Sequence, residues 1–302
     1  MKVWFPLLLA ALAACASPGP APATPAPETA ASPAIIPLGE QHLLASAILG
    51  DTREINVWLP PGYSEGREIG AVIYVLDGAV DQDFPHIAGL GQLGALSWTY
   101  ETFIIVGIQT KDRQHELTPA ATDPRFIEGF PQAGGAPAFR RFLIEEVRPF
   151  IEARYRPAAR RALIGESLAG LFVVDTLKDT PGAFDDYIAI SPSLWWDGGR
   201  YAAAAAGQRA PQDLSGRRLY MAMADEGGAM AEGINTYRAA LEAAPPAGFD
   251  FIFSDRSASE THSTIYHGEA LAAFRRLYPL PPWEGESPWW MTPGASPPPA
   301  AE

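Results

Sequence analysis

Between residues 38 and 280 the chain alternates short, continuous apolar runs with stretches whose apolar positions recur every three or four residues. Residues 71–76 (AVIYVL) and 102–108 (TFIIVGI) are runs of the first kind. Their lack of polar alternation marks strands buried on both faces. Further strands are expected at 162–165, 187–190, 218–223 and 249–253, and an early strand pair ends at 57–63 (VWLPPGY). Helical spacing governs 137–155, where Phe139, Phe142, Leu143, Val147, Phe150 and Ile151 share one face and charges take the other. Helices are also expected near 199–207, 230–244 and 264–277. Strands alternating with helices predict an α/β fold, a mostly parallel central sheet flanked by helices on both faces.

The two ends of the chain read differently. Lys2 precedes a short apolar run at 3–13, which closes on Leu12-Ala13-Ala14-Cys15. This resembles a bacterial lipoprotein signal, which implies cleavage before Cys15, lipidation of its thiol and exclusion of residues 1–14 from the fold. The run is too short to anchor as a membrane span. Ser17 stands where inner-membrane lipoproteins have aspartate, so the resemblance implies an outer-membrane anchor facing the periplasm. Residues 15–37 are Pro, Ala, Ser and Thr with almost no charge, the composition of an extended tether. The folded domain is expected over 38–280. The tail, 281–302, is again proline-rich, and Trp283, Trp289 and Trp290 suggest that part of it folds back. Cys15 is the single cysteine, which excludes an intramolecular disulfide, a thiolate zinc cluster and a cysteine nucleophile in the domain. A net charge of −13 argues against nucleic acid and against a polybasic membrane patch.

The chemistry concentrates at residues 163–170 (LIGESLAG), where Ser167 sits between small residues, after an apolar run and before a helical one. That is the form of a nucleophile elbow, with Gly165 and Ala169 two places either side of the serine. Alanine at the second place departs from the usual glycine. The plain alternative is a helix N-cap serine. Order along the chain decides for the elbow: Asp225 and Glu226 follow the strand at 218–223, and His262 lies on a polar loop past the last strand, the serine–acid–histidine order of an α/β-hydrolase. His42 lies in the first strand, His86 and His267 on helices, and His115 within 113–119. His262 is therefore the expected base, and either Asp225 or Glu226 the carboxylate that orients it.

Taken together, 57–63 (VWLPPGY), 73–78 (IYVLDG), 106–108 with 113–119 (RQHELTP), the elbow, 190–196 (ISPSLWW) and 260–263 (ETHS) resemble the bacterial esterases of the esterase D and enterochelin-esterase type, within the α/β-hydrolases. The resemblance implies a serine esterase working through an acyl-enzyme on a small-molecule ester, with neither metal nor organic cofactor. Acyl transfer on the same residues, or a non-catalytic binding protein on the same fold, are the alternatives. Glu226 fits the family's acidic position slightly better, while Asp225 is the more usual residue type. For the oxyanion, the amide of Leu168 follows the nucleophile, and the resemblance places the second donor just after Asp77-Gly78, at Ala79 with Gly78 beside it. Arg113 is expected either to meet an anionic or catechol-bearing substrate or to form a salt bridge with Glu116 or Asp123. Trp195 and Trp196 are expected to wall an aromatic pocket, or, for at least one of them, to lie in the core.

Overall fold

The computed structural model describes residues 36–207, 214–282, 285, 291 and 294. The expected signal peptide, Cys15, nearly all of the tether, and Trp283, Trp289 and Trp290 lie outside the described residues.

The strands are β1 (Glu40–Ala45), β2 (Thr52–Trp58), β3 (Ala71–Val75), β4 (Phe103–Ile108), β5 (Arg160–Glu166), β6 (Asp186–Ile190), β7 (Arg218–Met223) and β8 (Asp250–Asp255). They form one sheet in the order β1-β2-β4-β3-β5-β6-β7-β8. β1, β2 and β4 pair antiparallel. From β4 through β8 every pairing is parallel. The helices are α1 (Phe84–Ser97), α2 (Arg113–Glu116), α3 (Pro124–Gly129), α4 (Ala136–Arg141), α5 (Arg148–Glu152), α6 (Leu168–Asp179), α7 (Arg200–Gly207), α8 (Gly228–Ala243) and α9 (Ile265–Leu277).

The apolar runs have no polar alternation because both sheet faces are covered, and the side chains split between two cores with the period of two that a strand imposes. In β3, Val72 and Tyr74 join a core with Phe139, Phe142 and Phe172 from α4 to α6. Ala71, Ile73 and Val75 join the opposite core with Phe84, Ile87, Leu90 and Phe274 from α1 and α9. The helix expected over 137–155 is present from 136 to 152, but it is not α-helical throughout. Between α4 and α5, residues Phe142–Val147 form a π-helical turn, and Arg148 N–H reaches back five residues to Leu143 O. Pro149 follows at once and has no N–H to donate to the carbonyl four residues back, so the ladder widens where it would otherwise lose a bond.

At the N-terminal ends of the central strands, the fully buried carboxylate of Asp186 accepts from Arg160, Arg218 and Tyr278. Burial alone would raise its pKa, but the hydrogen bonds from Arg218, Arg160 and Tyr278 hold it below the ordinary carboxylate range.

Candidate active site

β5 ends at Glu166 and α6 begins at Leu168, so Ser167 alone carries the reversal from strand to helix. Its φ of 60° and ψ of −118° lie where L residues are strained by roughly 1–3 kcal/mol. The backbone holds it there. Ser167 N–H donates to Ile190 O at 3.0 Å, and Ser193 N–H donates to Ser167 O at 2.9 Å. A Cβ at Gly165 would sit 2.6 Å from the Cβ of Ala169. Alanine at 169 therefore fits because position 165 has no side chain, and its methyl is buried.

His262 comes from the connection between β8 and α9. Arg256 N–H donates to Met223 O at 2.8 Å and Asp225 N–H to Glu260 O at 2.9 Å, which fastens this connection to the loop after β7. His262 Nε2 then lies 3.1 Å from Ser167 Oγ. On the other side of the ring, Nδ1 is 3.0 Å from Oε1 and 2.9 Å from Oε2 of Glu226, whose side chain is 2% exposed. With Nδ1–H donated to Glu226, the Nε2 lone pair faces the serine hydroxyl, as a general base requires. Asp225 is exposed, and its backbone rather than its carboxylate meets the histidine loop. Of the two candidate acids, the structure thus brings Glu226 to His262.

The other histidines are engaged elsewhere. His42 Nε2 meets Tyr155 Oη at 2.8 Å, and His115 Nδ1 meets Gln132 O at 2.6 Å. His86 and His267 face each other, Nδ1 to Nδ1, at 3.3 Å. Burial, then the neighbouring His86, lowers the pKa of His267.

The expected oxyanion donors divide. Leu168 opens α6, so its N–H is among the four that a helix leaves without an internal acceptor. Gly78 is not an open donor: its N–H goes to Ile108 O at 2.8 Å, extending the sheet ladder beyond β3. Ala79 N–H donates to Gln82 Oε1 at 3.0 Å, while Gln82 Nε2 donates to Thr110 O at 2.8 Å. Ala79 can serve an oxyanion only once the Gln82 amide turns away.

Arg113 forms a salt bridge, but with neither expected partner. Its Nε donates to Asp77 Oδ2 at 3.0 Å, because Glu116 is held by Arg53 at 2.6 Å and Asp123 by Arg125 and Arg200. Asp77 has a φ of 50°. Burial pushes its carboxyl up in spite of Arg113. Trp196 is core, with Nε1 donating to Pro119 O at 3.1 Å. Trp195 is half-buried against Phe126 and Phe130, at ring separations of 5.8 and 5.9 Å.

Three features were not assigned from sequence. Glu166, the residue before the nucleophile, places Oε1 3.1 Å from His262 Nε2. Burial raises its pKa to about 7, outweighing the attraction of His262 and Arg113. Ser193 Oγ lies 3.3 Å from Ser167 Oγ. Beside the histidine a cavity of about 450 Å³ opens, lined by Asp83, His86, Glu166, Ser263, Tyr266 and His267. An acid at the end of a buried strand was the one sequence signal for Glu166. Among the described residues, no group of three or more His, Cys, Asp or Glu is placed to hold a metal.

A mostly parallel sheet with a strained serine at the end of a central strand, and a histidine and a carboxylate on later loops, defines an α/β-hydrolase. The chain belongs to the family whose model, described as "Putative esterase", matches residues 46–276. It is similar to a siderophore enterobactin esterase of Emericella nidulans, 33% identical over 156 residues, covering 46% of this chain and 51% of that protein. It is also similar to a siderophore triacetylfusarinine C esterase of Aspergillus fumigatus, 32% identical over 183 residues, covering 55% of this chain and 59% of that protein. The chain thus spans between half and three fifths of the length of these curated relatives. Among solved structures, an IroE-like serine hydrolase from Shewanella oneidensis superposes with a TM-score of 0.72 at 28% identity, covering 80% of each chain.

Proposed function

We propose that the protein is a serine carboxylic-ester hydrolase that forms an acyl-enzyme at Ser167 and acts on siderophore-type esters. The observation that carries this reading is the continuous contact from Ser167 Oγ through His262 to the buried carboxylate of Glu226, set on a strained elbow. His262 Nε2 takes the hydroxyl proton as Oγ bonds to the ester carbon, and the carbonyl electron pair moves onto oxygen. Glu226 stabilises the imidazolium. The Leu168 amide, and that of Ala79 once released by Gln82, meet the oxyanion, each such donor being worth roughly 10²- to 10³-fold in rate. Nε2–H then passes to the leaving alkoxide as the C–O bond breaks, and water repeats the sequence on the acyl-enzyme. Siderophore-type substrates are supported by what the two relatives are named for and by the aromatic face of Trp195, Phe126 and Phe130.

The test is hydrolysis of aryl esters graded in acyl length, beside catecholate and hydroxamate siderophore esters, together with fluorophosphonate labelling. Ser167→Ala should abolish labelling and lower turnover by several orders of magnitude with the fold intact. A folded wild-type protein that neither labels nor hydrolyses would be a binding protein on a hydrolase scaffold.

The amino-terminal sequence supports a second part of the proposal, that the mature enzyme starts at a lipidated Cys15 and is tethered in the bacterial envelope, at the outer membrane facing the periplasm. Two or more acyl chains anchor stably, at roughly 0.8 kcal/mol per buried CH₂. Mass spectrometry of the mature N-terminus decides it: cleavage elsewhere, or an unmodified Cys15, removes the anchor.

A further inference from the structure

His262 Nε2 has two oxygen neighbours at the same distance, Ser167 Oγ and Glu166 Oε1, each at 3.1 Å. A hydrolase mechanism needs only the first. We propose that Glu166 is a second carboxylate of the catalytic histidine, a positioning residue that shares with Nε2 the proton that must leave before Ser167 can be activated. This rests on the hydrolase reading of the site and deepens it.

Geometry restricts the protonation states of the pair. When Nδ1–H is donated to Glu226, Nε2 of the neutral ring offers a lone pair. An ionised Glu166 would then set two acceptors against each other at 3.1 Å. One proton between Oε1 and Nε2 removes that repulsion, either as a carboxylic acid donating to the ring or as an imidazolium donating to a carboxylate. Such a proton belongs to the pair rather than to either residue. While it stays, Nε2 cannot accept from Ser167.

The surroundings favour keeping it. The Glu166 side chain is only 17% exposed at the end of β5, and burial pushes its carboxyl up to about 7. Asp83 at the start of α1 and Glu226 from the loop after β7 push in the same direction, whereas Arg113 of α2 and His262 oppose them. Tyr266 of α9, with His86 and His267, lines the adjoining cavity, and Asp77 partly neutralises Arg113. The cavity is lined by both Glu166 and His262 and opens to solvent, which gives the proton a way out.

Once that proton has left, the same carboxylate changes its effect. The Ser167 proton arrives on Nε2 as the Oγ–C bond forms, and the resulting imidazolium lies between two carboxylates, Glu226 at Nδ1 and Glu166 at Nε2. Glu166 therefore delays activation at acidic pH and assists the charged transition state at alkaline pH.

The experiment is the pH dependence of the second-order rate of fluorophosphonate labelling of Ser167, which needs no known substrate, paired with kcat/KM for an aryl ester where one is turned over. In Glu166→Gln the acid limb should move to lower pH by on the order of one unit, the effect of removing one carboxylate at contact distance. The plateau should fall by up to roughly tenfold. Glu166→Asp, which keeps the charge but draws it back from the ring, should lie between wild type and Glu166→Gln. Thermal melts identify variants that fail to fold, and the Asp variant keeps the test open if the Gln variant does. Superimposed acid limbs for wild type and either folded variant overturn the role of Glu166 and leave the hydrolase reading untouched. Absence of any Ser167 labelling in the wild type overturns both.

Discussion

Glu226→Gln separates the two adjacent acids most sharply. The substitution keeps the shape of a side chain that is 2% exposed and lies 2.9–3.0 Å from His262 Nδ1. What it removes is the negative charge that would face the imidazolium in the proposed acylation. Two unit charges about 4 Å apart interact by about 4 kcal/mol at the effective dielectric of about 20 suited to a half-buried site. At 1.36 kcal/mol per tenfold, that corresponds to about 10³ in rate. The amide oxygen of glutamine can still accept from Nδ1–H, which recovers about 1 kcal/mol, so the expected loss in kcat is roughly 10²- to 10³-fold. KM should change little, because the charge matters only once the imidazolium forms. Asp225→Asn removes an exposed, screened charge and should cost less than about threefold. Initial rates on an aryl ester at several pH values, with melting curves as folding controls, give both numbers. A folded Glu226→Gln within tenfold of wild type, or a larger loss from Asp225→Asn, would refute the assignment of the orienting acid.

Asp186→Asn leaves Arg160 and Arg218 facing a neutral amide in a buried site and should destabilise the fold by about 3–5 kcal/mol in urea unfolding. Because the folded-state pKa of Asp186 is depressed, its contribution is present above the ordinary carboxylate pKa and is lost as pH falls through the depressed value. The stability gap between wild type and variant should therefore narrow on acidification, and a gap that widened would contradict the sign. At the elbow, Ser167→Gly should be more stable than Ser167→Ala by about 1–2 kcal/mol. That is the relief of a strain of about 2 kcal/mol, the middle of the range for such a conformation, less the roughly 0.5–1 kcal/mol entropic cost of glycine, and equal denaturation midpoints would mean that the elbow holds no such strain.

The sheet was legible because its strands are covered on both faces, which leaves continuous apolar runs such as 71–76 with nothing polar to confuse the period. Ser167 and His262 were legible through their order among those strands. What the sequence could not decide are contacts fixed by distant backbone. Asp225 and Glu226 are neighbours on one turn, and which carboxylate points inward depends on Asp225 N–H bonding to Glu260 O, 35 residues away in sequence, and on Gly227 at a φ of 62°. Arg113 went to Asp77 because Arg53, from β2, had already taken Glu116. The amides of Gly78 and Ala79 found partners in Ile108 and Gln82 that no local motif announces. Glu166 lies inside the most informative segment of the chain, yet its meaning depends on where the loop carrying His262 lands.

The two ends of the sheet carry opposite energetic signs, and this arrangement explains how a strained site is kept. Asp77, Ser167 and Ser191 have φ of 50°, 60° and 39° and follow the C-terminal ends of β3, β5 and β6, three adjacent parallel strands. That is the end of a parallel sheet where ligands bind. At the opposite end, the first residues of β5, β6 and β7 are Arg160, Asp186 and Arg218, which form the buried ion cluster. From Arg160 to Ser167 the chain runs seven residues along β5, about 23 Å at 3.3 Å per residue. At that separation, with no shared side-chain partner, substitutions at the two ends should add within about 0.5 kcal/mol. The double variant Asp186→Asn/Ser167→Gly should then unfold at the midpoint that the two single variants predict. A coupling clearly larger than that would mean that the clamp and the elbow are one cooperative device, with the ion cluster holding Ser167 in its strained conformation through the length of the strand.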